Sequence, residues 1–402
     1  MLTERILRWL ACVIALSVSG CASFNPEIGD MTRAYSAAIE RHEMNQILKN
    51  ILRAADGLPM RFQAVPTIIG TGSLEGSAGA TGRLLGGFMD NSTTTNSLKS
   101  TRGFNFNLAS LDNEKFTSAF LGDLSLETIN VISSGGFHRD LLFTLVLHDI
   151  TVKSPGKPDL PINNRATSRE SFERFQSMLS QLTRAGLRTE SYFRLTSVGV
   201  DLTRDEMLER FLGSRLAAES DIRTIRLTTP QGDRYRIARR GRATRLCLSP
   251  ERFLELSGLR LNSAIECRAP DITLAEEALR SSRRLETDDA ISFNLRSTRD
   301  VYHFVGQLAM AQHSPTPWVP TIELPVQRGD LAAGKYPLMV IRKGEPGVNE
   351  RVLAVAEHMG TNYFIPYENS GLSAWVLDYL SVLLSISLVK DAIPASPGIL
   401  VR

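Results

Sequence analysis

Ile222-Arg-Thr-Ile-Arg-Leu-Thr228 and Arg234-Tyr-Arg-Ile-Ala238 flank the turn signal Pro230-Gln-Gly-Asp233. On both sides of this turn, β-branched, aliphatic and aromatic residues interleave with arginine at short period, the signature of a β-hairpin. Just upstream, Thr203-Arg-Asp-Glu206 has capping-box spacing and predicts a helix running to about residue 218. Just downstream, 244–248 reads as a further strand. The same rhythm of helix, short strands and helix returns later in the chain. Helices are expected over 272–284 and 299–311, with strands near 290–295, 322–326, 337–342, 352–357 and 363–365. The fold class that follows is α+β, with two or three mixed units of helices packed on small, mostly antiparallel sheets.

Working back toward the N-terminus, Tyr35, Ala38, Ile39, Ile47, Leu48, Ile51, Leu52 and Ala55 recur at helical spacing. Asp30 can cap that helix and Gly57 can end it. A strand follows at 61–65. Gly70-Thr-Gly-Ser-Leu-Glu-Gly-Ser-Ala-Gly-Ala-Thr-Gly82 and a Ser/Thr/Asn tract to Ser100 form the least core-like stretch, a long mobile loop or a small-residue hairpin. A strand at 104–108 precedes helices at 113–121 and 126–133. Residues 141–152 are strongly apolar and compatible with helix or strand. Ser154-Pro-Gly-Lys-Pro-Asp-Leu-Pro161 is the best linker, placing a boundary near 155–166. The expected domains are an N-terminal α+β domain at 31–155 with its Gly/Ser/Thr-rich loop at 70–100, a central one at 166–270 and a C-terminal one at 271–402.

The first residues carry an address. Arg5 and Arg8 precede an apolar run of Trp9 to Val18, far shorter than the roughly 20 residues a helix needs to span a bilayer. Val18-Ser19-Gly20-Cys21 resembles the lipobox of bacterial lipoproteins, an aliphatic residue and two small ones before cysteine. The resemblance implies removal of residues 1–20 and acylation of Cys21, which anchors a protein without a spanning helix. Ala22 is not the aspartate that resembles an inner-membrane retention signal, so the likeness favours the outer membrane, facing the periplasm. Residues 21–30 are read as a short lipidated tether. Asn45-Gln-Ile-Leu-Lys-Asn-Ile-Leu-Arg-Ala54 and the stretch 116–142 are also similar to an uncharacterised family of proteobacterial lipoproteins, a likeness that implies no activity.

Among 402 residues, 43% are hydrophobic and 22% charged, which places the chain among globular proteins rather than disordered tails. A net charge of +3 is too small to indicate nucleic-acid binding. Cys12 leaves with the leader and Cys21 is lipidated, so Cys247 and Cys267 remain in an oxidising compartment. There they form a disulfide or stay as two buried thiols.

Catalytic motifs are near misses. His42-Glu-Met-Asn-Gln46 has glutamine where a zinc protease needs its second histidine, and no other metal-ligand spacing is seen. Gly72-Ser-Leu-Glu-Gly76 is not a nucleophile elbow, the glycine run lacks a phosphate-binding Lys-Ser/Thr, and Ser387-Leu-Val-Lys390 stands without its partner motifs. No cofactor is expected. The compositional departure is arginine: Arg234, Arg236, Arg239, Arg240, Arg242 and Arg245 crowd one segment. They fit lipopolysaccharide phosphates, anionic lipid heads or an acidic protein partner, or else a solvated sheet face that resists edge pairing. The helix at 372–389 is apolar nearly all round, and Asp378 within it favours a core or interface helix over a membrane span. The functional expectation is a non-catalytic outer-membrane scaffold or docking lipoprotein. The rival is an envelope hydrolase whose site is assembled from distant residues.

Overall fold

The computed structural model describes residues 24–81, 93–110, 114–152, 158–211, 220–229, 232–249, 267, 275–276, 291–324 and 332–388. The class is α+β, with helices interspersed among small antiparallel sheets. The chain divides into two compact units. One comprises 1–46, 60–119 and 385–402, the other 47–59 and 120–384.

In the first unit, α1 (Phe24–Ala55, whose last turns belong to the second unit) opens only three residues after Cys21. Residues 24–30, expected as tether, are therefore helical. Pro26 does not prevent this, because the first helical turn has no backbone N–H bond to lose. Most described side chains between Arg33 and His42 are exposed, whereas Ile47, Leu48, Ile51 and Leu52 are buried. Helical spacing thus extends well beyond the buried part of this helix.

The glycine-rich tract takes the hairpin alternative. β1 (Gln63–Thr81) pairs antiparallel with β2 (Thr93–Ser110) in an unbroken ladder from Thr67↔Asn107 to Thr81↔Thr93. The register shifts between Ala64 and Thr67, at Pro66, which has no N–H to give the ladder. Beyond it, α2 (Glu114–Leu121) brings the Phe116 ring edge-on to Phe62, with centroids 5.8 Å apart.

The second unit is built around a sheet of order β4-β3-β8. The ambiguous run at 141–152 is helix and then strand: α4 (Arg139–Val146) passes directly into β3 (Leu147–Val152). Every residue from Leu141 to Leu147 is buried, so no amphipathic period marks the change. β3 pairs with β4 (Leu160–Asn163) and with β8 (Ile291–Leu295). This sheet therefore joins strands from both sides of the boundary expected near 155–166.

Helices α3 (Leu126–Ser134), α5 (Arg169–Arg184) and α7 (Thr298–His313) are capped by Ser125, Ser168 and Ser297, each accepting a backbone N–H of the first turn. Phe172 of α5 stacks on Phe304 of α7 at 6.5 Å and meets Trp318 edge-on at 5.7 Å. Gly306 lets α7 cross the end of α1 closely, since a Cβ there would lie 2.7 Å from the Ala55 nitrogen. Arg296, just after β8, is buried. Its guanidinium donates to the carbonyls of Thr144 (3.2 Å), Leu145 (3.0 Å) and Asn164 (2.6 Å) and lies 4.0 Å from the Phe304 ring centroid.

The remaining strands form small sheets. β9 (Thr321–Leu324) pairs with β10 (Gly334–Pro337). β13 (Thr361–Pro366) lies between β11 (Arg342–Lys343) and β12 (Val352–His358). Met359 and Gly360, both at positive φ, turn β12 into β13, as a two-residue hairpin loop requires. His358 meets Asp56 at 2.6 Å, fixing this sheet to the end of α1.

The closing helix α8 (Ser373–Ser387) buries Val376, Leu377, Leu380, Leu383 and Leu384 and exposes Ala374, Asp378 and Ser385. One stripe faces the core and Asp378 sits on the other. No described helix is long and apolar enough to cross a membrane.

Candidate functional site

Backbone register decides what the arginine segment can do. β7 (Gly232–Cys247) is one continuous strand, where sequence reading expects two. It is central between β5 (Arg188–Ser197) and β6 (Ile222–Thr229). β6 covers its first half and β5 its second, so neither neighbour alone shows its length. Upstream, the Thr203–Glu206 capping box forms as expected, but the helix α6 (Arg204–Glu206) passes at once into a π turn, Met207–Phe211.

No register shift interrupts β7, so its side chains alternate strictly between two faces. Arg234, Arg236, Arg240 and Arg242 share one face, while Arg239 and Arg245 lie on the other. The first face also carries the apolar cluster of Leu195, Ile225, Leu227 and Ala238, which Ala275 completes and Phe193 packs against. The second carries Ile222 and Ile237 under Val198, Leu202 and Met207. Both faces are half core and half charge, which is why sequence period alone does not separate them.

Several of these arginines already hold carboxylates. Arg236 forks onto Asp201 through Nε (2.6 Å) and Nη2 (2.8 Å). That bond, with lesser help from Arg234, holds the Asp201 carboxyl below its ordinary value. Arg245 bonds Glu190 at 2.7 Å and lies 5.5 Å above the Tyr192 ring. Arg239 meets Asp221 at 3.2 Å, and Arg226 of β6 pairs with Asp233. Arg240 lies over the Phe193 ring at 5.5 Å. Arg223 and Arg242 are exposed and meet no carboxylate among the described residues. The guanidinium surface open to an anion is therefore centred on Arg223, Arg240 and Arg242, on the first face.

Cys247 ends β7 and is bonded to Cys267. Both are buried, and Arg188 Nε donates to Cys267 Sγ at 3.3 Å. The Glu190 carboxylate lies within 4.8 Å of the two sulfurs. While the sulfurs are bonded to each other they are not thiolate donors, and Glu190 is already engaged by Arg245.

Sequence reading missed a cleft of about 670 Å³ between α5 and the β9–β10 hairpin. Arg169, Glu173, Arg184, Glu323 and Lys335 line it, and Trp318 supplies an apolar wall. Arg169 pairs with Glu173 one turn along α5 (2.8 Å), and Arg184 pairs with Glu323 across the cleft (3.6 Å). Asp140 also lines it, and Thr183 donates to that carboxylate at 2.7 Å. Burial outweighs that bond and raises the Asp140 pKa above the ordinary carboxylate value. The cleft joins α4, α5 and two distant strands, so no local motif announces it.

Cys21 lies outside the described residues. No protein-family model, curated protein or solved structure matches this chain.

Proposed function

We propose that this chain is an outer-membrane lipoprotein that docks onto or scaffolds an envelope assembly and does not itself catalyse a reaction. The observation that carries the reading is Val18-Ser19-Gly20-Cys21 directly behind an Arg-flanked apolar run. Acyl chains on Cys21 contribute about 0.8 kcal/mol of membrane affinity per buried CH₂, enough together for stable anchoring. Support comes from the helix that begins three residues later at Phe24, which makes the connection to the bilayer a rod rather than a loose tether. The bonded cysteine pair fits an oxidising compartment. The anion-facing arginines Arg240 and Arg242 suit lipopolysaccharide phosphate, anionic lipid heads or an acidic protein partner.

Brief in-cell cross-linking, purification in mild detergent and native mass measurement test the scaffold. A large assembly of fixed stoichiometry is expected. A lone monomer in the membrane fraction would refute obligate scaffolding. The second reading, an envelope hydrolase, is favoured by one observation, Asp140 lining the polar cleft with its pKa raised by burial. Hydrolysis of an envelope ester or amide that is abolished by Asp140→Asn would establish that reading in place of the first.

A further inference from the structure

We propose that the β1–β2 hairpin inserts into the outer membrane, and that copies of this chain close their hairpins edge to edge into one β-barrel. The proposal rests on the envelope address argued above and names its partner as further copies of the same chain.

Length comes first. The ladder runs without a shift from Thr67↔Asn107 to Thr81↔Thr93. A membrane-crossing strand needs only about 9–11 tilted residues, so each arm of this hairpin exceeds the requirement.

Pattern comes second. Register and sequence place Ile68↔Phe106, Gly70↔Phe104, Gly76↔Leu98 and Leu74 at positions of one face. The alternate positions hold Thr71, Ser73↔Thr101, Glu75↔Lys99 and Ser77↔Ser97. Arg102, Ser100, Asn96 and Thr94 on the first face and Ile69 on the second depart from this pattern. One apolar band and one face of small polar residues, alternating at period two, is the pattern of a strand between lipid and a water-filled lumen.

Edges come third. Among the described residues, β1 and β2 form a two-stranded sheet in which neither outer edge pairs with another strand. An isolated two-stranded ribbon is marginal in water. In lipid its bare N–H and C=O groups must be paired, which only closure achieves. One chain supplies one hairpin, so neighbouring copies supply the remaining strands, and the strand number is even by construction.

The test uses the full, lipidated chain in outer-membrane vesicles. Single-cysteine variants are placed in turn along 98–106 and exposed to a small water-soluble maleimide. The odd positions Thr101→Cys, Gly103→Cys and Asn105→Cys are expected to label, and Leu98→Cys, Phe104→Cys and Phe106→Cys to stay protected. In parallel, cells co-express two differently tagged copies. A scan of β1 cysteines on one against β2 cysteines on the other should yield a disulfide-linked pair carrying both tags. Uniform labelling, or no inter-copy product from protein that is in the membrane, overturns the barrel and leaves the lipoprotein reading intact. Absence of the unaltered chain from the membrane fraction overturns both.

Discussion

Replacing Arg296 by methionine probes what holds the second unit together. The guanidinium is buried behind the end of β8, and burial pushes its pKa down to about 9, so it is charged at pH 7. It donates to three carbonyls, two of them at the C-terminal end of α4, where a cation also opposes the helix dipole. Methionine fills similar volume and keeps the backbone bonds of residue 296, to the Val146 carbonyl and from the Leu124 N–H. The Thr144 carbonyl retains the Asn164 side-chain amide at 2.7 Å. The Leu145 and Asn164 carbonyls each lose the guanidinium bond, at about 1–3 kcal/mol apiece. Relief from burying a charge offsets part of that cost, which leaves an expected loss of about 3 kcal/mol. Arg296→Lys is expected to cost about 2 kcal/mol, because a single ammonium cannot reach all three carbonyls at once. Urea unfolding followed by far-ultraviolet circular dichroism reads both values on the purified full chain. If Arg296→Met is neutral or stabilising, the desolvation of the charge outweighs the three bonds and this reasoning is refuted.

Gly306→Ala is expected to destabilise by about 2 kcal/mol, because its Cβ meets α1 backbone rather than a flexible side chain; an unchanged melting temperature would contradict the close helix crossing. Cys247→Ser with Cys267→Ser should cost about 3 kcal/mol, from a bridge closing a sequence separation of 20, and should remove any effect of reductant on the unfolding midpoint. For Asp140, burial raises the folded pKa above the unfolded 3.8, so its contribution is fully present below that value and is lost as pH rises through the folded pKa. Asp140→Asn, whose amide oxygen can still accept from Thr183, is therefore expected to be more stable than the parent at pH 7 and little different near pH 3. A variant equally destabilised at both values would show that the amide, not the charge, is misplaced.

The α+β class was legible wherever a local rule has one reading. Thr203 and Glu206 named their own cap, and the turn signal at Pro230 to Asp233 stands between β6 and β7, which pair antiparallel. The buried stripe of α8 was foreshadowed by Asp378, a charge that only a solvent-facing position tolerates cheaply. The helix-to-strand change within 141–152 was illegible because Leu141 to Leu147, where it falls, is buried on all sides and has no period. The unity of β7 was hidden because Gly241 and its neighbouring arginines look like a break, whereas flanking strands on both sides carry the pairing through them. Of the arginine segment, composition revealed the charge but not the partners. Asp201 and Glu190 lie far away in sequence and come to Arg236 and Arg245 only through the sheet. The cleft at Asp140 is non-local in the same way, since its walls come from α5 and from strands beyond residue 320.

The most direct test of the central claim is the intact mass of the N-terminal peptide of the protein recovered from cell envelopes. A chain beginning at Cys21 and carrying acyl groups is expected, with processing and membrane retention both lost in Cys21→Ala. An unmodified Cys21, or a mature chain that begins elsewhere and is released by washing, would contradict it.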